Sequence, residues 1–201
     1  PNATKLGILS KKYDVGNRVP SLEMLNGITL LPLRSVTLPP ATRTNAILLG
    51  DEDKVKLMID PSPNSEEEYR RLLTAIKGRI PDAIFLTHHH PDHHQFSNQL
   101  ARELKIPVIL SQDTRKRLNA KFGHQYFENI ELQTVSEKHQ VTSWHGSPVR
   151  VYEIPGHDSG HLGLAPDSMV WFIVGDLIQG IGTVVIPSPE GDMATYFKTL
   201  K

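Results

Sequence analysis

THHHPDHH, residues 87–94, decides the fold: it holds five histidines and one aspartate, and no other part of the chain is so biased. It directly follows DAIFLT, residues 82–87, a short apolar run typical of a strand buried on both faces. In an extended chain, side chains two residues apart point the same way, which predicts His88, His90 and Asp92 on one side and His89 on the other. The stretch therefore indicates metal ligands held at a rigid strand end rather than a solvated histidine-rich loop.

Pro91 shapes the second half of this stretch. A residue that precedes proline is disfavoured in the helical region, so His90 should still be extended. Asp92 is then the predicted N-cap of the next helix, with His93 in its first turn. Two imidazoles, a carboxylate and a third imidazole are thus expected to converge on one small volume.

Composition limits the classes of protein that the chain can belong to. It has 201 residues, enough for one medium domain with a real core. Lys+Arg and Asp+Glu are both 22, so the neutral balance does not favour nucleic acid as a partner, although it leaves room for a local basic patch. There is no cysteine, so any metal must be held by histidine, aspartate or glutamate.

No run in this sequence has the length and apolarity of a membrane span, and its first residues lack the apolar core of a signal peptide. We therefore expect a cytoplasmic protein that does not bind membranes. The sequence begins at Pro1 without methionine, which leaves the translated N-terminus uncertain. Nothing in the sequence indicates an oligomeric state.

The order of patterned segments predicts one domain over residues 27–201, preceded by an extended arm over residues 1–26. Apolar runs bounded by turn residues predict strands, and apolar residues at helical spacing predict helices between them. This order favours an α/β sandwich with helices outside the sheets, although periodicity alone does not exclude a doubly wound sheet. The predicted strands are ITLLPLRSV (28–36), NAILLG (45–50), VKLMID (55–60), DAIFLT (82–87), PVILS (107–111), VRVYEI (149–154) and MVWFIVGD (169–176).

Partners for the first two histidines come from distant parts of the chain. A catalytic zinc site uses three protein ligands and keeps one position open. His157 lies in PGHDSGH, residues 155–161, just after a predicted strand, and Asp176 ends another. A carboxylate at a buried strand end needs a compensating cation or hydrogen bonds, and a metal would supply the cation. Two metals bridged by Asp176 and by a hydroxide would produce a nucleophile at neutral pH.

Taken together, these motifs resemble the metallo-β-lactamase superfamily. They are His-x-His-x-Asp-His at residues 88–93, Pro-Gly-His-x-x-Gly-His at 155–161 and Gly-Asp at 175–176. TNAILLGDEDKVKLMIDPS, residues 44–62, resembles the opening hairpin of that family, with Asp60 at its acidic position near the metals. The likeness covers residues 27–201 in the family's order.

The resemblance implies an αββα four-layer sandwich with the metals at one edge of the sheets. It implies that His88, His90 and His157 hold the first metal and that Asp92 and His93 hold the second. Asp176 would bridge the two metals, and Asp92 would also accept a proton from the attacking water. Asp60 would orient the imidazoles without binding a metal.

One ligand of the family has no counterpart in this sequence. The family supplies a further histidine to the second metal, just beyond the helix that begins near Asp192. The sequence ends inside that helix, and no histidine follows His161. We therefore expect the chain to continue beyond Lys201, with the last strand and the ligand turn missing from residues 27–201. Otherwise the site would hold one metal.

The predicted activity is that of a metal-dependent hydrolase with one or two zinc ions. A metal-bound hydroxide would attack an ester, thioester, lactone or phosphodiester of a small-molecule substrate. Alternatives on the same fold are a nuclease for single-stranded RNA and an iron-dependent oxidoreductase, because the same ligands suit iron or manganese. A non-catalytic member that lacks the last ligand is a further alternative.

The remaining histidines lie off the ligand pattern. We expect His89 and His94 at the surface or beside the site, where His94 could narrow the mouth. His161 is predicted to be either structural or part of the substrate pocket. The other three, in polar segments, are predicted to be surface residues: His124, His139 and His145.

Overall fold

The computed structural model describes residues 18–51, 54–180 and 182–201. Residues 1–17 of the predicted N-terminal arm lie outside these ranges. The rest of the predicted arm is not simply an extended lead-in, because Leu22–Leu25 forms strand β1 and pairs with β2, Ile28–Arg34. Its side chains are mostly exposed, although three of its four residues are apolar.

The larger sheet has seven strands among the described residues, arranged in chain order. Strands β1 to β4 are antiparallel, and β4 to β7 are parallel. The parallel pairs need crossover connections, and helices supply them. After β1 and β2, the strands of this sheet are β3 (Arg43–Asp51), β4 (Lys54–Ile59), β5 (Ala83–Phe85), β6 (Val108–Ser111) and β7 (Leu132–Val135).

The smaller sheet has three antiparallel strands in the described part of the chain, in the order β10-β9-β8. They are β8 (Gln140–Trp144), β9 (Ser147–Glu153) and β10 (Leu162–Pro166). The helices are α1 (Glu66–Ala75), α2 (Pro91–His94), α3 (Ser97–Leu104), α4 (Gln112–Phe122) and α5 (Met193–Thr199). Short 3₁₀ turns lie at His124–Phe127 and Gly175–Leu177.

Two hydrophobic cores define the layers. Side chains on one face of the larger sheet, such as Met58 and Ile84, pack with Leu72 of α1 and Leu100 of α3. On the other face, Leu57 and Phe85 pack against the smaller sheet, which contributes Val149, Val151 and Leu162 to this second core. Neighbouring residues of one strand alternate between the two cores, as the strand period requires. The protein is therefore a two-sheet sandwich with helices outside, and not a doubly wound sheet.

The start of α1 shows the usual N-cap chemistry, but without the reciprocal bond of a capping box. Ser65 caps α1 and accepts a hydrogen bond from the Glu68 backbone nitrogen, at 3.2 Å. The Glu68 carboxylate does not return this bond to Ser65; it accepts instead from the Arg34 backbone nitrogen at 3.0 Å. Glu68 therefore ties α1 to the end of β2.

The predicted strand MVWFIVGD is wrong, and the neighbouring strand β10 was not predicted. Within residues 169–176 the structure has a single bridge, between Ile173 and Leu164, and Asp176 lies in the 3₁₀ turn. Val170 is 61% exposed, so the apolar run is not a buried strand. The strand that fills this place is β10, whose Gly163 and Pro166 hid it from sequence reasoning. None of the helices in the described ranges combines the length and apolarity needed to cross a membrane.

Candidate metal centre

The candidate site lies where β4 and β5 end and where the loop after β9 reaches them. Asp60 follows β4 and adopts a left-handed φ of 49°, which aspartate tolerates better than most residues. Its carboxylate accepts hydrogen bonds from the Thr87 backbone nitrogen, at 2.8 Å, and from the Thr87 hydroxyl, at 2.6 Å. The Thr87 carbonyl in turn accepts from Leu162 of β10, at 2.9 Å. Both sheets therefore fix the residue that immediately precedes the histidine cluster.

Three ring nitrogens converge in the first group of the site. His88 Nε2 lies 3.0 Å from His90 Nδ1, and His157 Nε2 lies 2.9 Å from the same atom. In tetrahedral zinc the bond length implies about 3.3 Å between two nitrogen ligands. The three atoms are thus nearly at the spacing that a single ion needs, and the three residues form one potential metal-binding group.

Hydrogen bonds on the far side of two rings aim their lone pairs inward. His157 Nδ1 donates to the Val185 carbonyl at 2.6 Å, which leaves Nε2 as the acceptor. His88 Nδ1 lies 3.0 Å from the Thr87 hydroxyl, which itself donates to Asp60. Such outer hydrogen bonds fix the tautomer of a metal-binding imidazole.

Two histidines of the first group, His88 and His90, are held neutral by their surroundings. Burial, together with neighbouring imidazoles, lowers the pKa of His88 well below its usual value. Burial and the nearby His157 lower the pKa of His90 to about 4. A metal binds the neutral imidazole, so both residues are already in the ligand form at neutral pH.

A second group lies beside the first and contains carboxylates. His93 Nδ1 lies 2.8 Å from Asp60 Oδ2, so Nε2 faces away from it. That nitrogen is buried without a hydrogen-bond partner among the described residues. It lies 3.3 Å from Asp176 Oδ1 and 3.8 Å from Asp92 Oδ2. Asp176 Oδ2 is also 3.6 Å from His157 Nε2, so Asp176 lies between the two groups.

The second group requires a cation. Burial alone would lower the pKa of His93, but the carboxylates of Asp176 and Asp60 outweigh it and raise the pKa well above its usual value. Burial opposes ionisation of Asp176, yet His93 and His157 hold its pKa below the usual range. A neutral His93 would leave a lone pair facing two carboxylates, which only a proton or a metal ion can satisfy. The donor set therefore fits a metal with histidine and carboxylate ligands.

The sequence is similar to a known family. The sequence model of the metallo-beta-lactamase superfamily matches residues 39–201, which include every residue of the two groups. The chain belongs to this superfamily. Several curated bacterial proteins are similar to it in sequence. A hydroxyacylglutathione hydrolase of Hamiltonella defensa is 36% identical over 148 residues, which is 71% of this chain and 51% of that protein.

A second relative, hydroxyacylglutathione hydrolase GloC of Haemophilus influenzae, is 23% identical over 171 residues, which is 80% of this chain and 79% of that protein. The chain spans about half the length of the Hamiltonella relative, and about half that of another hydroxyacylglutathione hydrolase, from Wigglesworthia glossinidia brevipalpis.

Solved structures of superfamily proteins have the same fold. The metallo-beta-lactamase from Pontibacter korlensis has a TM-score of 0.72 at 14% identity, over 91% of this chain and 83% of that one. TTHA1623, solved in a di-iron-bound form, has a TM-score of 0.61 at 26% identity, over 83% of each chain. These similarities confirm the α/β sandwich of metallo-β-lactamase type that the sequence motifs predicted.

In this superfamily member Asp92 does not have the predicted capping role. His90 is the N-cap of α2, Pro91 occupies its first position and Asp92 follows inside the first turn. Proline favours the first helical position because its fixed φ suits a helix, so the helix begins before Asp92. The Asp92 carboxylate lies 3.5 Å from the Thr44 hydroxyl, and its backbone carbonyl accepts from the Ser62 hydroxyl.

The histidines outside the predicted ligand set lie in different environments. His94 is not at the surface: it is 3% exposed, and Nδ1 lies 2.7 Å from the Tyr126 hydroxyl. The turn of α2 carries it away from the metal groups and towards Phe122 and Tyr126. His161 is 1% exposed and lies behind the site, with its ring centroid 4.7 Å from that of His88. The prediction is confirmed for three exposed histidines: His124, His139 and His145.

We expect His94→Gln to reduce the acid sensitivity of the metal-free protein. Burial, with a smaller contribution from Lys121, lowers the pKa of His94 to about 3. The folded state therefore keeps this ring neutral, whereas an unfolded histidine takes up a proton below a pH of about 6.5. Stability is lost as the pH falls through that value, by about 2 kcal/mol between pH 7 and pH 5 for this one group.

The His94→Gln variant should lose about 2 kcal/mol less free energy of unfolding than the wild type between these two pH values. Urea unfolding of chelator-treated protein measures the difference, with exposed His139→Gln as the control. Equal losses in the wild type and in His94→Gln would contradict a buried, neutral His94.

Proposed function

We propose that the chain carries the metal site of a metal-dependent hydrolase that cleaves a thioester of the hydroxyacylglutathione type. The convergence of the His88, His90 and His157 ring nitrogens, beside the carboxylates of the second group, carries the metal-dependent part of this proposal. The names of the curated relatives support the substrate class.

In this proposal His88, His90 and His157 bind the first ion, and His93 and Asp92 bind the second. Asp176 lies between the two groups, so its carboxylate would be shared by both ions. Zinc suits these ligands, and so does iron, as the di-iron-bound form of TTHA1623 illustrates for that protein. When bound, the metal polarises the acyl carbonyl and activates water as the nucleophile. Asp60 and Thr87 orient the imidazoles of both groups.

Asp92 is proposed to take the proton of the attacking water. The water oxygen bonds to the acyl carbon, and the carbon–sulfur bond breaks with its electron pair leaving on sulfur. The proton taken by Asp92 then passes to this thiolate, so the products are a carboxylic acid and a thiol. Asp92 suits this role because its carboxylate is 14% exposed and faces the second group. The hydroxyls of Thr44 and Ser62 hold its side chain and its backbone. A general base of this kind typically contributes a rate factor of about 10² to 10⁴.

Thiol release from lactoylglutathione tests the proposal directly. The chain has no cysteine, so the protein itself contributes no thiol to a chromogenic assay. We expect stoichiometric zinc or iron in protein purified without added metal, and thioester turnover that a chelator abolishes and added metal restores. An aryl ester, a lactone and single-stranded RNA provide the comparison substrates.

Two results would overturn the proposal in different ways. Metal-loaded protein that cleaves RNA or a lactone faster than the thioester would contradict the substrate class. Protein that binds no metal, or whose thioester turnover is unchanged by a chelator, would contradict the metal-dependent mechanism itself.

A further inference from the structure

One side-chain pair outside the proposed ligands connects the two segments that carry the first group. His89 lies between His88 and His90, and Asp158 directly follows His157. His89 Nδ1 and Asp158 Oδ2 are 2.8 Å apart, at an angle outside the strict range for a hydrogen bond. Side chains alternate in direction along an extended chain, so the His89 side chain points away from those of His88 and His90 and towards Asp158.

Asp158 is completely buried, with an exposed fraction of 0%. A buried carboxylate is costly unless it is paired. One of its oxygens, Oδ1, accepts from the Gly160 backbone nitrogen at 2.8 Å within the same loop. The other, Oδ2, faces His89, so the side chain has one contact on each segment.

The loop that carries His157 is anchored on its outer sides as well. Ser159 accepts a hydrogen bond from Arg117 of α4 at 2.7 Å and donates one to Asp113 at 3.0 Å. The Thr199 hydroxyl of α5 donates to the Pro155 carbonyl at 2.6 Å. These contacts attach the loop to the helices. The contact between His89 and Asp158 attaches it to the segment that holds the other two ring nitrogens.

We propose that His89 and Asp158 are positioning residues that hold the His88–His90 segment and the His157 loop at the separation the first ion requires. The pair acts through its neighbours and binds no ion itself. This inference rests on the proposed metal site. Partners in the outer shell of a metal site typically change metal affinity by about 10- to 100-fold, and preorganised ligands bind more tightly than ligands that the metal must gather.

The affinity of the chelator-treated protein for zinc alone tests the pair without any assay of activity. We expect Asp158→Ala to weaken the tightest zinc site by about 10- to 100-fold. His89→Leu should weaken it similarly, and the double variant should be little worse than either single variant, because coupled residues are not additive. Competition with a chromogenic chelator measures the affinities.

Asp113→Ala is the matched control, because Asp113 contacts the same loop from α4 and does not reach the histidine segment. Its zinc affinity should equal that of the wild type. If Asp158→Ala does not fold, His89→Leu decides the question, since the His89 side chain is 14% exposed, whereas that of Asp158 is fully buried.

Unchanged affinity in the two single variants, or single effects that multiply in the double variant, would overturn the inference and leave the proposed function intact. A wild-type protein that binds no zinc, iron or manganese would instead remove the proposed function and this inference together.

Discussion

His90→Asn is expected to lower kcat/KM for the thioester about a thousand-fold and to remove at least one equivalent of bound metal. His90 Nδ1 lies 3.0 Å from His88 Nε2 and 2.9 Å from His157 Nε2, so it is the shared neighbour of the other two nitrogens. Without it the first ion loses one of three protein ligands. A catalytic metal supplies several kcal/mol of transition-state stabilisation, and each 1.4 kcal/mol is about a tenfold change in rate, which gives this magnitude.

Metal analysis and steady-state kinetics on the same preparation measure both effects. His139→Asn is the matched control, because His139 is exposed and lies outside both groups. The control should keep the metal content and the kinetics of the wild type. Wild-type metal content together with kcat/KM within about threefold of the wild type in His90→Asn would contradict its role as a ligand.

Asp92→Asn is expected to lower kcat by about 10² to 10⁴ with little change in KM. The amide has the size of the carboxylate and can still meet the Thr44 hydroxyl, but it cannot take a proton from the attacking water. The three ring nitrogens of the first group are untouched, so the first ion should be retained. A loss confined to kcat indicates an interaction made in the transition state.

The control for this change is Asp82→Asn, which removes an exposed carboxylate that pairs with Lys54 far from the site. It should behave as the wild type. If Asp92→Asn kept full activity, Asp92 would not be the proton acceptor, and the mechanism would need another base.

Sequence spacing was enough to predict the site's main grouping. A buried strand that ends in alternating histidines fixes where His88 and His90 point, because the strand period leaves no other choice. The core of the sandwich was predictable for the same reason, since β4 and β5 have apolar residues on both faces. His157 and Asp176 could be chosen because each follows an apolar run and carries a group that needs a partner when buried.

Other features depend on tertiary contacts that no local pattern carries. His93 and His94 are adjacent, so local sequence does not distinguish them. The burial of His94 depends on Tyr126, which is 32 residues away along the chain. In the sequence Asp158 looks like any loop aspartate, because its contact with His89 forms only in the folded structure. Its position next to His157 was the one sequence feature that pointed to a role at the site. The apolar run at residues 169–176 resembles a buried strand, but it pairs with β10 only at the bridge between Ile173 and Leu164.

The proposed function requires that His88 Nε2, His90 Nδ1 and His157 Nε2 bind one metal ion together. Anomalous diffraction at the zinc absorption edge, from crystals grown with zinc, would show whether they do. It should place an ion bonded to all three nitrogens at about 2.0–2.1 Å, with Asp176 beside it. Absence of an anomalous peak between these rings, or a peak bound by other residues of the chain, would contradict the claim.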